Sequence, residues 1–291
     1  MMAIANSNTF LTAAPAEKAN PDKRRRGRRH RRISWCVTGI LVGCVLAPTG
    51  VNRLHGQTTA APGEHLTGYY RELYHEGKKR CNQETNSVEV AWMFAQACFD
   101  WAEFATNDNM RADIAQEGIA GARRAVQLDE HCAQGYHYLG LNLGQLARTK
   151  MFGALKLLGE MEASWKKSIA LDPNFKFAGA HRSLGLLYRD APGWPTSLGD
   201  RSKARFHLKK ALEVAPTYPD NHLTLIETYL GWGEKKNAAP LIAGLEKIFE
   251  AARKQLTGDD WVLSWGDWQE RWKKIKAKTT VAAARSPRQT P

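Results

Sequence analysis

The chain has few features of the kind that carry chemistry. Its five cysteines, Cys36, Cys44, Cys81, Cys98 and Cys132, form no Cys-x-x-Cys pair, and no histidine stands at metal-ligand spacing from them. A zinc site is therefore not expected. Three cysteines lie beyond the N-terminal apolar run. They can form at most one bond among themselves, or serve as small buried hydrophobes. There is no Gly-x-Ser-x-Gly, no Gly-rich phosphate loop, no His-Glu-x-x-His and no paired-carboxylate constellation in a loop. Catalysis is not expected on those grounds, and no cofactor or metal is implied. No apolar run reaches the roughly 20 residues of a spanning helix, and strand-like alternation is almost absent.

Positive charge looks abundant, with a net of +13, but the folded body lacks it. Residues 1–33 carry a net +7 and residues 271–291 another +7, which leaves 34–270 at −1. A phosphate-tracking groove needs cations on the folded surface, so nucleic acid is not an expected partner.

The N-terminus reads as an address. Residues 1–32 form a basic n-region ending in KRRRGRRHRR, and 33–47 are uncharged and apolar. That order makes an export signal. The positive charge stays on the cytoplasmic side. Leu41-Val42-Gly43-Cys44 resembles the bacterial lipobox, in which the chain is cut before a cysteine that is then acylated. An uncleaved anchor, or cleavage after Ala47 or Ala61, are the other readings. Residues 48–63 then form a tether between membrane and domain.

From 64 to 276 the pattern is helical. Leu66, Tyr69, Tyr70, Leu73 and Tyr74 fall on one helix face, which predicts a lead-in helix. Four markers follow: Trp92-x-x-Ala95, Tyr136-x-x-Leu139-Gly140, His181-x-x-Leu184-Gly185-x-x-Tyr188 and His222-x-x-Leu225. They recur at a period of about 44 residues, and each opens a pair of helices. Second helices end in Leu-Asp, Leu-Asp-Pro or Val-Ala-Pro, since Pro stops a helix and presets the turn. The first unit lacks this Pro at Leu128-Asp129-Glu130 and needs another stop. Surplus residues fall between the helices of a pair: 148–160, expected as a helical extension, and 191–199, a loop by its Pro and Gly content. Trp261, Trp265, Trp268 and Trp272 share one face of a last helix, with Asp259 and Asp260 as N-cap candidates. That stripe predicts a cap packed on the final repeat, or else an exposed aromatic binding surface. Residues 277–291 are expected to be a disordered basic tail. The fold class is thus all-α: about four helix pairs, a preceding helix and a Trp-rich capping helix.

These markers resemble the tetratricopeptide repeat. The Tyr-rich lead-in, together with Leu184-Gly185-x-x-Tyr188, Ala191-Pro-Gly-Trp-Pro, Gly199-Asp200 and Ala204, is similar to the TatT family over about 64–256. These are lipoproteins associated with tripartite ATP-independent periplasmic (TRAP) transporters. The resemblance implies a periplasm-facing, membrane-anchored protein of the bacterial envelope. Its role would be to dock beside a substrate-binding protein or pass a ligand to it. A generic envelope scaffold that binds a protein segment is the alternative. A second copy of the chain is another possible partner.

In tetratricopeptide arrays the first helices line a concave groove. Repeat positions carried over by that resemblance place His137, Arg182, Leu186, Arg189 and Glu227 there. Arg182 and Arg189 are two turns apart on one face, and a guanidinium fork suits a carboxylate. With His137 they are candidate holders of a small acidic ligand. Pairing of the arginines with Asp190 or Glu227 is the competing expectation. His181 and His222 occupy a core-filling position. The loop Pro192-Gly193-Trp194-Pro195 is the candidate contact outside the groove.

Overall fold

The computed structural model describes residues 62–150 and 153–284, all within one compact unit. The n-region, the apolar segment with Cys44 and most of the tether lie outside the described residues. Ten α-helices and one 3-10 turn (Asp259–Trp261) occur among those described. A lead-in helix α1 (Pro62–Gln83) precedes four antiparallel pairs. These are α2 (Val88–Ala102) with α3 (Asp108–Leu128), α4 (Ala133–Arg148) with α5 (Ala154–Leu171), α6 (Phe175–Asp190) with α7 (Arg201–Val214), and α8 (Pro219–Gly231) with α9 (Lys235–Arg253). The last helix, α10, spans Val262–Ala284.

Local chemistry sets the helix ends. Ser87 accepts from the Val90 N–H at 3.2 Å, and Asn107 from Met110 at 2.9 Å. Asp200 accepts from both Ser202 and Lys203. Each such cap is worth about 1 kcal/mol. The missing proline after α3 is replaced by an Asx turn, in which Asp129 Oδ1 accepts from the His131 N–H at 2.9 Å. The same turn recurs after α5, where Asp172 accepts from Asn174.

The Leu-Gly markers sit where the helices of a pair cross. A Cβ on Gly140 would lie 2.5 Å from the Trp165 indole, and one on Gly185 2.5 Å from Leu208. On α7, Ala204 and Ala211 are fully buried. One core runs through Phe99, Tyr138, Leu143, Leu158, Trp165, Leu184 and Tyr188. The three cysteines beyond the apolar run are unpaired, with Cys98 and Cys132 buried.

Several expectations need correction. Leu73 lies off the buried face of α1 and is 42% exposed, whereas Leu66, Tyr70 and Tyr74 are buried. The 148–160 surplus is not one extension: α4 stops at Arg148 and α5 starts at Ala154. Asp260 lies in the 3-10 turn and accepts from the Tyr69 hydroxyl of α1 at 2.8 Å, 191 residues away. α10 continues past 276, through an Ala-rich stretch, to Ala284.

Candidate binding site on the concave face

α4 and α6 run side by side and present one stripe each to the concave face. On α4 the stripe is Leu141, Gly144, Gln145 and Arg148; on α6 it is Ser183, Leu186, Leu187 and Asp190. Gly144 contributes no side chain, and the facing residues leave a small cleft between the two helices. Its floor is apolar: Phe99 from α2, Met161 and Trp165 from α5, with Leu141 and Leu186. Ser183 is 2% exposed, and its hydroxyl has no hydrogen-bond partner among the described residues. An unpaired buried hydroxyl costs about 1–3 kcal/mol. That cost falls away when an occupant supplies a partner.

The mouth of the cleft is polar. Glu103 pairs with Arg148 at 2.9 Å and accepts from Gln145 Nε2 at 2.6 Å. Arg111 donates to Gln145 Oε1 at 2.8 Å. Burial, then the neighbouring Arg148 charge, pulls the Arg111 pKa below its usual value. Arg148 at 2.9 Å and Arg111 at 4.0 Å share the single Glu103 carboxylate, so the mouth keeps an excess of positive charge. The apolar floor suits an apolar side chain, with a polar group of the occupant left at the mouth.

The residues expected to grip an acidic ligand do something else. Arg182 is fully buried, and its Nε pairs with Asp220 Oδ2 of α8 at 2.9 Å. Its Nη1 donates to Asn221 at 2.7 Å and to the Phe177 carbonyl at 3.3 Å. The Phe177 carbonyl belongs to an unusual turn in which Lys176, Phe177 and Ala178 are all left-handed, with φ of 52°, 56° and 61°. Such a conformation costs about 1–2 kcal/mol per non-glycine residue. The donors from Arg182 and Asn221 Nδ2 help hold it. Arg189 is paired with its neighbour Asp190 at 2.7 and 2.8 Å and reaches Thr228 at 3.2 Å, the competing expectation. His137 is fully buried, with no partner for either ring nitrogen. Burial, then Arg182 and Lys176, lowers its pKa to about 3, so it is neutral and no anion receptor. The structure does not bring Arg182, Arg189 and His137 together as a carboxylate clamp. Of the predicted groove residues, Leu186 lines the cleft.

Glu227 is taken by α10. Arg271 pairs with it at 2.9 Å, with Asp220 at 2.6 Å and with Asp267 at 3.2 Å. Burial opposes its charge, but Asp220 and Glu227 outweigh that and hold its pKa above the ordinary value. The Trp face does cap the last pair, with Trp265 and Trp272 against Phe249 of α9. It also reaches further back: Trp261 packs on Phe177 and Tyr218, and Leu263 joins the α1–α2 cluster with Tyr70 and Trp101. The C-terminal segment therefore spans the concave side from α1 to α8 and fills the groove at α8. His181 and His222 sit in the core as expected. His181 Nδ1 lies 3.0 Å from His207 Nδ1, and His222 Nε2 lies 2.6 Å from the Pro216 carbonyl. Sequence reasoning passed over Ser183, Gln145 and Arg148. The readable signal was Gly144, a groove position with no side chain to fill it. Among the described residues, no group of three or more His, Cys, Asp or Glu is placed to hold a metal.

Comparison with known proteins identifies the architecture. The protein TTC0263, a thermophilic TPR protein of Thermus thermophilus, matches with a TM-score of 0.53 at 19% identity, over 74% of this chain and 94% of that one. The fold is a tetratricopeptide-like array. MamA also matches, with a TM-score of 0.43 at 19% identity over 66% of this chain and 94% of that one. The family model described as RMD1-3, regulator of microtubule dynamics protein 1-3, matches residues 63–185, from α1 into α6. No curated protein sequence matches the chain.

Proposed function

We propose that this chain is an exported, membrane-anchored scaffold of the bacterial envelope. In this reading the α4–α6 cleft receives an apolar residue of a protein partner. The observation that carries it is the cleft itself: apolar floor, unpaired Ser183 hydroxyl, and a polar mouth built on Glu103, Arg111 and Arg148. The partner is the substrate-binding protein of a TRAP-type transporter, on the strength of the resemblance to TatT in the lead-in, the third repeat and the Leu41–Cys44 box. The acidic ligand is not part of this reading, since Arg182 and His137 are buried and neutralised internally. The family match over 63–185 carries another name and favours a second reading, a scaffold for a different protein partner.

The test is co-purification of the full chain with a TRAP-type substrate-binding protein from the same organism. Leu186→Arg places a charge on the cleft floor, and capture should fall at least tenfold while the thermal transition remains cooperative. Undiminished capture would exclude the cleft. Capture of a different protein, again lost on Leu186→Arg, would support the second reading. Labelled palmitate should enter the wild-type chain and not Cys44→Ala.

A further inference from the structure

The loop between α6 and α7 presents its tryptophan to solvent on a stiff support. Trp194 is 88% exposed, whereas Trp101, Trp165, Trp261 and Trp268 are buried. The loop is closed on itself. The Gly199 N–H donates to the Pro192 carbonyl at 2.8 Å, Thr196 and Ser197 donate to Gly193, and the Asp200 N–H donates back to Tyr188 of α6 at 2.8 Å. A Cβ at Gly199 would lie 2.2 Å from the Ala191 carbonyl oxygen, so the closure depends on that glycine. The indole thus projects from a braced loop and loses little conformational freedom on binding.

Arg148 ends α4 and Asp190 ends α6, and both line the mouth of the same cleft. The chain leaving α4 and the chain leaving α6 therefore emerge on one edge of the array. That edge also carries Leu155, 46% exposed in the first turn of α5. The same connections carry exposed cations: Lys150 and Lys156 beside Leu155, and Arg201 and Lys203 in the first turn of α7, lying over the Trp232 and Tyr188 rings. None of the four makes an ion pair among the described residues, whereas the acids nearby are engaged. Asp190 holds Arg189, Glu160 holds Arg123, and Asp200 caps α7. The edge is thus positive on a body whose net charge is −1.

We infer that this edge, centred on Trp194 and Leu155, rests on the surface of an anionic lipid bilayer. One indole and one aliphatic side chain set among cations form no continuous apolar patch of the area a stable protein interface needs. An indole at headgroup depth, an aliphatic side chain and a set of Lys/Arg is the composition of an interfacial contact. The contact would orient the array on the membrane. It does not need the N-terminal segment to be lipidated.

The experiment uses the full chain on vesicles with brominated acyl chains, which quench tryptophans that enter the bilayer. Trp194→Phe is the reference. Trp35, in the apolar run, is common to both proteins and cancels in the difference. Wild type should lose the emission assigned to Trp194 on anionic vesicles and keep most of it on zwitterionic ones. Replacing Lys156 or Arg201 by Ala should weaken this contact about fivefold each. Equal quenching of wild type and Trp194→Phe would overturn the proposal. So would a Trp194 component on vesicles that aqueous iodide still quenches, which would turn the edge toward water or a protein. Palmitate incorporation is scored separately, so failure of the anchor and failure of the edge are distinguishable.

Discussion

Arg182 and Arg189 look alike in the sequence and differ in physics. Arg182 is buried against Asp220, and removing it leaves a buried carboxylate with one cation fewer and the left-handed turn with one donor fewer. Arg182→Ala should cost about 3–5 kcal/mol in urea unfolding. Arg189 is partly exposed and its partner is the adjacent Asp190, so Arg189→Ala should cost less than about 1 kcal/mol. Similar losses for both would refute the distinction. Titration of buried groups is a second residue-scale effect. Burial lowers His137 to about 3, and burial with its neighbour His181 lowers His207 to about 4. Both are neutral in the fold and become cationic on unfolding near their usual value of about 6.5, so their contribution is lost as pH falls below that point. Asp100 works the other way. Burial raises it to about 7, so the fold keeps a proton that the unfolded chain has released, and its contribution is lost as pH rises from about 4 to 7. Over pH 4–6.5 the two histidines outnumber the carboxyl, and melting temperature should rise with pH. Asp100→Asn removes the opposing group and should steepen that rise. An unchanged slope in calorimetry would show that Asp100 is ionised in the fold.

At the scale of elements, α10 is more than an end cap. Its Arg271 joins Asp220, Glu227 and Asp267, and its Trp268, with Trp261 just before it, packs on Tyr218. Trp268→Ala should cost about 3–5 kcal/mol, as for other large buried aromatics. Arg271→Ala should be comparably severe, because it leaves Asp220 and Glu227 without their shared cation. The Asp260–Tyr69 bond and the packing of Leu263 extend the effect to α1. Hydrogen exchange in α1 should therefore quicken in Trp268→Ala, although the site lies some two hundred residues along the chain. Protection of α1 unchanged from wild type would mean that the two ends are energetically independent.

At the scale of the molecule, the described residues present surfaces of different character. The concave face carries a cleft at α4–α6, and its α8 end is filled by the chain's own last helix. The edge of intra-pair loops carries Trp194 and the unpaired cations. The remaining surface closes the helix pairs. A scaffold bound to a membrane by one edge would present its cleft in a fixed direction to a partner held at the same membrane.

The helix pairs were legible because the contacts that make them are short in sequence. Leu139-Gly140 meets Trp165, and Leu184-Gly185 meets Leu208, within one period of about 44 residues, so the same residue types recur at the same spacing. The resemblance put Leu186 on the groove-facing side of α6, and Pro and Gly content marked the loop that carries Trp194. The fate of the charges was not legible. Arg182 meets Asn221 39 residues on, Arg271 meets Asp220 51 residues back, and Tyr69 meets Asp260 across 191. Periodicity tells which face of a helix a residue occupies, but not whether another element covers that face. The sequence by itself determined the repeat, its glycine crossings and its stops, because those depend on local backbone and neighbouring helices. Only the tertiary structure decided that Arg182 is a buried strut, that α10 occupies the groove at α8, and that a cleft lies at α4–α6. Burial and charge pairing depend on where the superhelix brings distant segments together.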